Sequence, residues 1–172
     1  MSDPDETLML AFQSGSRAAF DELFARYRNP LYGFFQRRLA MAARAEDLMQ
    51  ETFLAVIRAA SHYEPKAAFR TYLYAIAMKL LLAERRKQAR AGLAQPPDLA
   101  VFQESDTALW VRQAIEKLDS YEREILMLRE YEQLSYDEIA TLLALPLNTV
   151  RSRLFRARMA LKQLLEPVQD LT

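Results

Sequence analysis

The stretch Leu134-Ser-Tyr-Asp-Glu-Ile-Ala-Thr-Leu-Leu-Ala-Leu-Pro-Leu-Asn-Thr-Val-Arg-Ser-Arg-Leu-Phe-Arg-Ala-Arg158 decides the fold of this chain. It predicts two helices joined by a tight turn. Ser135 is an N-cap residue and Glu138 follows three positions on, the spacing of a capping box. Ile139, Leu142 and Leu143 repeat at helical spacing. Pro146 ends that helix or lies in the turn after it. Asn148 or Thr149 is then expected to cap the second helix. Val150, Leu154, Ala157 and Leu161 form its buried stripe.

The opposite face of the second helix carries Ser152, Phe155, Arg156 and Met159. Arg151, Arg158 and Lys162 lie on one flank and Arg153 on the other. No acid occurs from Thr149 to Lys162. A solvated surface helix normally intersperses acids for i,i+4 pairing. A basic second helix after a short turn has the form that enters a DNA major groove. There Arg reaches guanine edges, and an aromatic ring can touch a thymine methyl.

Outward from this motif, the chain reads as all-helical. Only three of its 172 residues are Gly, and no convincing run of alternating β-branched residues is present. At 51% hydrophobic and 27% charged it has the composition of a folded protein. The acidic start Met1-Ser-Asp-Pro-Asp-Glu6 leads into no signal-peptide core. The apolar stretches are too short to span a bilayer. The lack of Cys excludes disulfides and thiolate metal sites, and fits a reducing cytosol. No cofactor is expected.

The formal net charge is zero, but its distribution matters more than its sum. Arg85 to Arg90 and Thr149 to Lys162 are basic. Asp3 to Glu6, Glu46 to Glu51 and Glu122 to Glu138 are rich in acid. Such segregation suits one face for DNA and another for a protein partner.

Towards the N-terminus, Leu8, Phe12, Ala19, Phe20, Leu23, Phe24 and Tyr27 suggest two short helices broken near Ser14-Gly15-Ser16. Asn29-Pro30 reads as a cap with Pro at the first helical position of a new helix bearing Leu31, Phe34, Phe35 and Leu39. From about Arg44 to Ala60, Leu48, Met49, Thr52, Phe53, Ala55, Val56 and Ile57 cover one broad side of a helix. Asp47, Gln50, Glu51 and Arg58 ring Leu54 on the other. An exposed Leu with a polar rim has the make-up of an interface anchor. An ordinary solvated face has the same pattern. His62, the only histidine, reads as a loop residue. A long helix is expected from Phe69 to Arg90 with a core stripe of Phe69, Leu73, Ile76 and Leu80. Tyr72 and Tyr74 leave it on different sides, with Lys79 and the basic run behind them. Aromatics among cations can hold unpaired bases, and they can equally be packed in a core.

Gly92, Pro96 and Pro97 break the pattern, so residues 91–107 read as a flexible linker between domains at 1–90 and 108–172. Leu109, Ile115, Leu118, Ile125, Leu126 and Leu128 are the expected core of the second domain's first helices. Asp119-Ser120 is the cap between them. Leu161, Leu164 and Leu165 close the chain, and Pro167 ends the last helix.

With these motifs in this order, the chain resembles the extracytoplasmic-function sigma factors of bacterial RNA polymerase over nearly its whole length. Ala45-Glu-Asp-Leu-Met-Gln-Glu-Thr-Phe-Leu54 resembles the family's segment for the clamp coiled coil of the polymerase β′ subunit. Phe69-Arg-Thr-Tyr-Leu-Tyr-Ala-Ile-Ala77 resembles the start of its −10 helix. Leu134 to Arg158 resembles its −35 reader. The resemblance implies two helical domains (sigma domains 2 and 4, the latter with a helix-turn-helix) and no enzyme activity of its own. The implied partners are core polymerase, promoter DNA and an anti-sigma factor, in the cytoplasm and without membrane insertion. It places polymerase binding on Asp47, Leu48, Gln50, Glu51 and Leu54. It places −35 contacts on Arg129, Tyr136, Arg151, Ser152, Phe155 and Arg156, with Arg158 beside them. The −10 contacts fall on Tyr72, Tyr74, Lys79, Arg85 and Arg86. The family commonly has Trp at Tyr72, Arg-Asn at Met78-Lys79, Asp at Ala83, and Gly at Ala144 and Asn148. Ala144 therefore needs a turn without positive φ, or carries strain.

Three other readings compete. A helix-turn-helix regulator acting alone has no use for the acidic Asp47 to Leu54 helix. A nucleic-acid enzyme needs a carboxylate triad or an activated nucleophile, and Asp47 and Glu51 have no third carboxylate in view. A pure protein-interaction module leaves the acid-free Thr149 to Lys162 unexplained.

Overall fold

The computed structural model describes residues 1–93 and 105–166. All its described regular elements are helical, and the chain divides into two compact units, Met1–Ala100 and Val101–Thr172. Most of the expected linker and Pro167 fall outside the described residues.

The first unit holds α1 (Asp5–Gln13), α2 (Arg17–Gln36), α3 (Ala42–Ala59), a 3-10 turn (Ala60–His62) and α4 (Phe69–Arg90). The break between α1 and α2 is the expected one. Gly15 takes φ +107°, and Ser16 accepts the Ala19 N–H at 3.3 Å as N-cap. Phe12, Phe20, Phe24 and Phe53 then stack α1, α2 and α3 together, with centroids 4.8 to 6.5 Å apart.

Asn29-Pro30 does not start a helix. Instead, α2 runs straight through Pro30. An interior Pro costs about 3 kcal/mol through its missing donor and a clash with the preceding turn. Leu23, Leu31, Phe34 and Phe35 lie buried in phase on both sides of it, so one continuous apolar face outweighs that cost. Pro30 is itself exposed, which leaves the carbonyl without its donor on the wet side.

In α4 the buried row is Phe69, Leu73, Ala77 and Leu81, flanked by Tyr74 and Met78. Ile76 and Leu80, expected in the stripe, are only half-buried. The helix meets α1, α2 and α3, so its core face is wider than one stripe and follows the i,i+4 row. Its N-terminus has no side-chain cap of its own. Glu6 of α1 supplies one, accepting the Phe69 N–H at 2.6 Å.

The second unit holds α5 (Asp106–Glu116), α6 (Ser120–Glu130), α7 (Tyr136–Leu143) and α8 (Leu147–Leu165). Helix α8 packs on the other three through Val150, Leu154 and Ala157. Ile115, Leu118, Ile125, Leu126, Leu128, Leu134 and Ile139 close the core around it. Leu109 stands exposed in the first turn of α5, outside the core expected of it.

The capping box forms: Ser135 Oγ accepts the Glu138 N–H at 3.1 Å, and Glu138 accepts the Ser135 N–H at 2.7 Å. The turn that follows is left-handed at Ala144, with φ +52° and ψ +47°. The Leu145 N–H donates back to the Ala140 carbonyl at 3.0 Å, closing the helix end. Neither Asn148 nor Thr149 caps α8. Both lie inside its first turn, and Pro146 is the N-cap residue, its carbonyl accepting from Thr149 and Val150. Proline's fixed φ starts the helix two residues earlier than side-chain chemistry suggested.

Candidate nucleic-acid and partner interface

The buried stripe of α8 fixes what its other side presents. Arg151, Ser152, Phe155, Arg156 and Met159 are exposed there together, Phe155 at 66%. Phe155 and Met159 thus form a small exposed apolar patch among arginines. Ser152 Oγ donates to the Thr149 carbonyl at 3.2 Å, which leaves its lone pairs free to accept. Arg151 and Arg156 have no ion-pair partner among the described residues.

Arg158 differs. It donates to Glu130 of α6 at 3.0 Å and to the Tyr136 hydroxyl at 3.4 Å. The bond to Glu130 chiefly raises its guanidinium pKa. Arg129 donates to the Leu134 carbonyl at 3.0 Å and lies 5.2 Å over the Tyr136 ring. Arg129, Tyr136 and Arg158 thus meet where α6, α7 and α8 converge. On the other flank Arg153 stacks 5.2 Å over Tyr121. Neither Glu130 nor Tyr121 is suggested by any local pattern, since each partner is about 30 residues away in sequence.

On α3, Asp47, Gln50 and Leu54 are exposed and Glu51 is half-buried, a shared outward face with Leu54 at its centre. Leu48 does not belong to it. It is 1% exposed, in line with Thr52 and Val56 against the core. Its placement on the polymerase-binding surface is corrected accordingly: it supports that face from beneath.

Arg44, one turn before Asp47, underlies the acidic face. Its Nε and Nη2 donate to the two carboxylate oxygens of Glu84 on α4, both at 2.8 Å. Its Nη1 lies 3.4 Å from Glu51 and 3.6 Å from Asp47. Glu84 is buried, and the Arg44 fork holds its carboxyl below the ordinary value despite that burial. Sequence patterning missed both residues. A buried acid in a basic run carries no signal until its partner, 40 residues away, is known.

On α4, Tyr72 is half-buried beside Tyr63 and Phe69, at 5.1 and 6.1 Å between centroids, and burial raises its hydroxyl pKa. Lys79, Arg85 and Arg86 are exposed. Tyr74 is 3% exposed and packs on Phe34 of α2 at 5.5 Å. It faces α2 about 200° round the helix from Tyr72, so its expected DNA contact is corrected to a core role.

No helix among the described residues is long and apolar enough to cross a membrane.

Comparison with known proteins matches both units to one family. Residues 23–91 match the family model for sigma-70 region 2, and residues 108–161 match that for sigma-70 region 4. The chain is 35% identical to the RNA polymerase sigma-H factor of Pseudomonas aeruginosa, over 96% of each chain. It is 30% identical to the ECF RNA polymerase sigma-E factor of Escherichia coli, over 95% of each. Among solved structures, CnrH in complex with the cytosolic domain of CnrY superposes with a TM-score of 0.72 at 27% identity, covering 95% of this chain and 97% of that one.

Proposed function

Because this chain belongs to the extracytoplasmic-function sigma factors of the sigma-70 family, we propose how its two units divide the work of promoter recognition. The protein binds core RNA polymerase and directs transcription initiation at promoters. In the first unit, Asp47, Gln50, Glu51 and Leu54 face the clamp helices of the largest polymerase subunit, with Leu54 as the apolar anchor inside a polar rim. Tyr72, Lys79, Arg85 and Arg86 of the same unit meet the −10 element, the tyrosine by stacking and the cations through phosphates. In the second unit, α8 enters the major groove of the −35 element with Arg151, Ser152, Phe155 and Arg156 towards the bases. Arg129, Tyr136 and Arg158 hold its edge. Residues 91–107 join the two units.

The exposed, acid-free face of α8 carries this reading. In it the chain supplies binding and no catalysis, since bond formation belongs to the polymerase. It acts in the cytoplasm, and an anti-sigma partner regulates it by covering one of these faces. A regulator acting on DNA alone is the weaker reading, because it assigns no role to the Leu54 face.

The test is capture of core polymerase by the full chain. Asp47→Ala combined with Gln50→Ala is expected to weaken capture and to leave the helical content intact. Equal affinity of the double variant and the parent chain for core enzyme contradicts the assignment of α3.

A further inference from the structure

We propose that Arg44 is a positioning residue for polymerase binding: anchored on buried Glu84, it holds Asp47 and Glu51 in place beneath the partner. The inference rests on the assignment of Asp47 and Glu51 to the polymerase-facing surface.

The geometry distributes one guanidinium among three carboxylates on two helices. Two parallel N–H bonds of 2.8 Å fix Arg44 to Glu84, and Gln88 donates to the same carboxylate at 3.2 Å. A bidentate fork sets the plane of the guanidinium as well as its position. With that plane fixed, Nη1 projects between Glu51 and Asp47, at 3.4 and 3.6 Å. Those two acids lie four apart on α3, where like charges repel. The cation between them offsets the repulsion and restrains both side chains before a partner arrives. Restraint before binding reduces the side-chain entropy lost on association. Lysine cannot replace this arrangement, because a single ammonium has no fork and cannot serve all three carboxylates in the same plane.

The experiment is a double-mutant cycle on the full chain. Core polymerase affinity is measured for the parent chain, for Arg44→Lys, for Asp47→Asn with Glu51→Gln, and for the combination. Unfolding is followed in parallel. Arg44→Lys is expected to weaken core binding about tenfold, the scale of one charge-assisted contact. It should weaken it no further once Asp47 and Glu51 are neutralised, while its effect on unfolding persists in both backgrounds. An equal loss of affinity in both backgrounds overturns the proposal, because Arg44 then acts through the fold alone. Unchanged affinity of Arg44→Lys in the parent chain overturns it also. If neutralising Asp47 and Glu51 leaves core binding intact, the surface assignment itself fails, and this inference with it. Should Arg44→Lys fail to fold, Glu84→Gln carries the same comparison by releasing the anchor alone.

Discussion

Glu130 on α6 holds Arg158 on α8 at 3.0 Å, whereas Arg156, two residues earlier on the same helix, has no acidic partner among the described residues. The two arginines are therefore not equivalent. Arg156 projects from the centre of the exposed face and is expected to read a base. Arg158 lies on the flank, part of its charge already answered, and is expected to touch phosphate. Arg156→Ala should cost about 1–3 kcal/mol and relax preference at one −35 position. Arg158→Ala should weaken all sequences alike and lower the salt slope by at most about one. Glu130→Gln should tighten binding and steepen the slope, because it releases a cation to displace counterions. Affinities for single-base −35 variants at several salt concentrations decide this. A uniform loss for Arg156→Ala with a changed base preference for Arg158→Ala means that α8 sits rotated from this assignment.

Ala144 is held at φ +52° between α7 and α8. The left-handed region costs an L-residue roughly 1–2 kcal/mol, partly offset in a Gly variant by a more flexible unfolded chain. Ala144→Gly should stabilise the second unit by about 0.5–1 kcal/mol. Trp110, the single tryptophan, lies on α5 of that unit, so its fluorescence in urea follows the right transition. A lower urea midpoint for the Gly variant contradicts this account of the turn.

How far the sequence revealed the fold depended on the reach of each signal. The capping box of Ser135 and Glu138 spans three residues and was legible in full. So was the break at Ser14 to Ser16. Pro30 misled because its effect is local, whereas the face that overrides it is built with α3 in three dimensions. The spacing of α3 sets Leu48 on its apolar side, where it lies, and only the family resemblance moves it to the surface. For Tyr74 the pattern allows a base contact or a core role, and its packing on Phe34 of α2 decides for the core. The exposed face of α8 was legible because one continuous helix carries both its stripes. Arg44 with Glu84, and Glu130 with Arg158, were not, since each pair joins elements far apart in the chain.

Glu84 makes the stability of the first unit depend on pH. Its carboxyl titrates below the ordinary 4.5, first because Arg44 donates to its charged form. The folded state thus binds this proton less tightly than the unfolded state. Its contribution is present in full above pH 4.5 and is lost as pH falls through the lower folded value. Glu84→Gln should cost about 2 kcal/mol at pH 7 and show a flatter decline in acid. Urea unfolding by circular dichroism between pH 3 and pH 7 measures both slopes. Parallel curves for the two proteins rule out the linkage.

Glu6 reaches across from α1 to cap α4 at Phe69. Glu6→Ala should cost about 1 kcal/mol, the usual value of an N-cap, and fray the turn that carries Tyr72. Amide exchange of Phe69, Arg70 and Thr71 should then quicken while the middle of α4 stays protected. Unchanged exchange at all three contradicts the capping role.

Run-off transcription with core polymerase on a promoter library tests the central claim most directly. The account predicts discrete transcripts from a subset of promoters only when the chain is added, and loss of those transcripts for Asp47→Ala with Gln50→Ala. No chain-dependent transcript from any promoter, together with sequence-specific duplex binding by the chain alone, would contradict it.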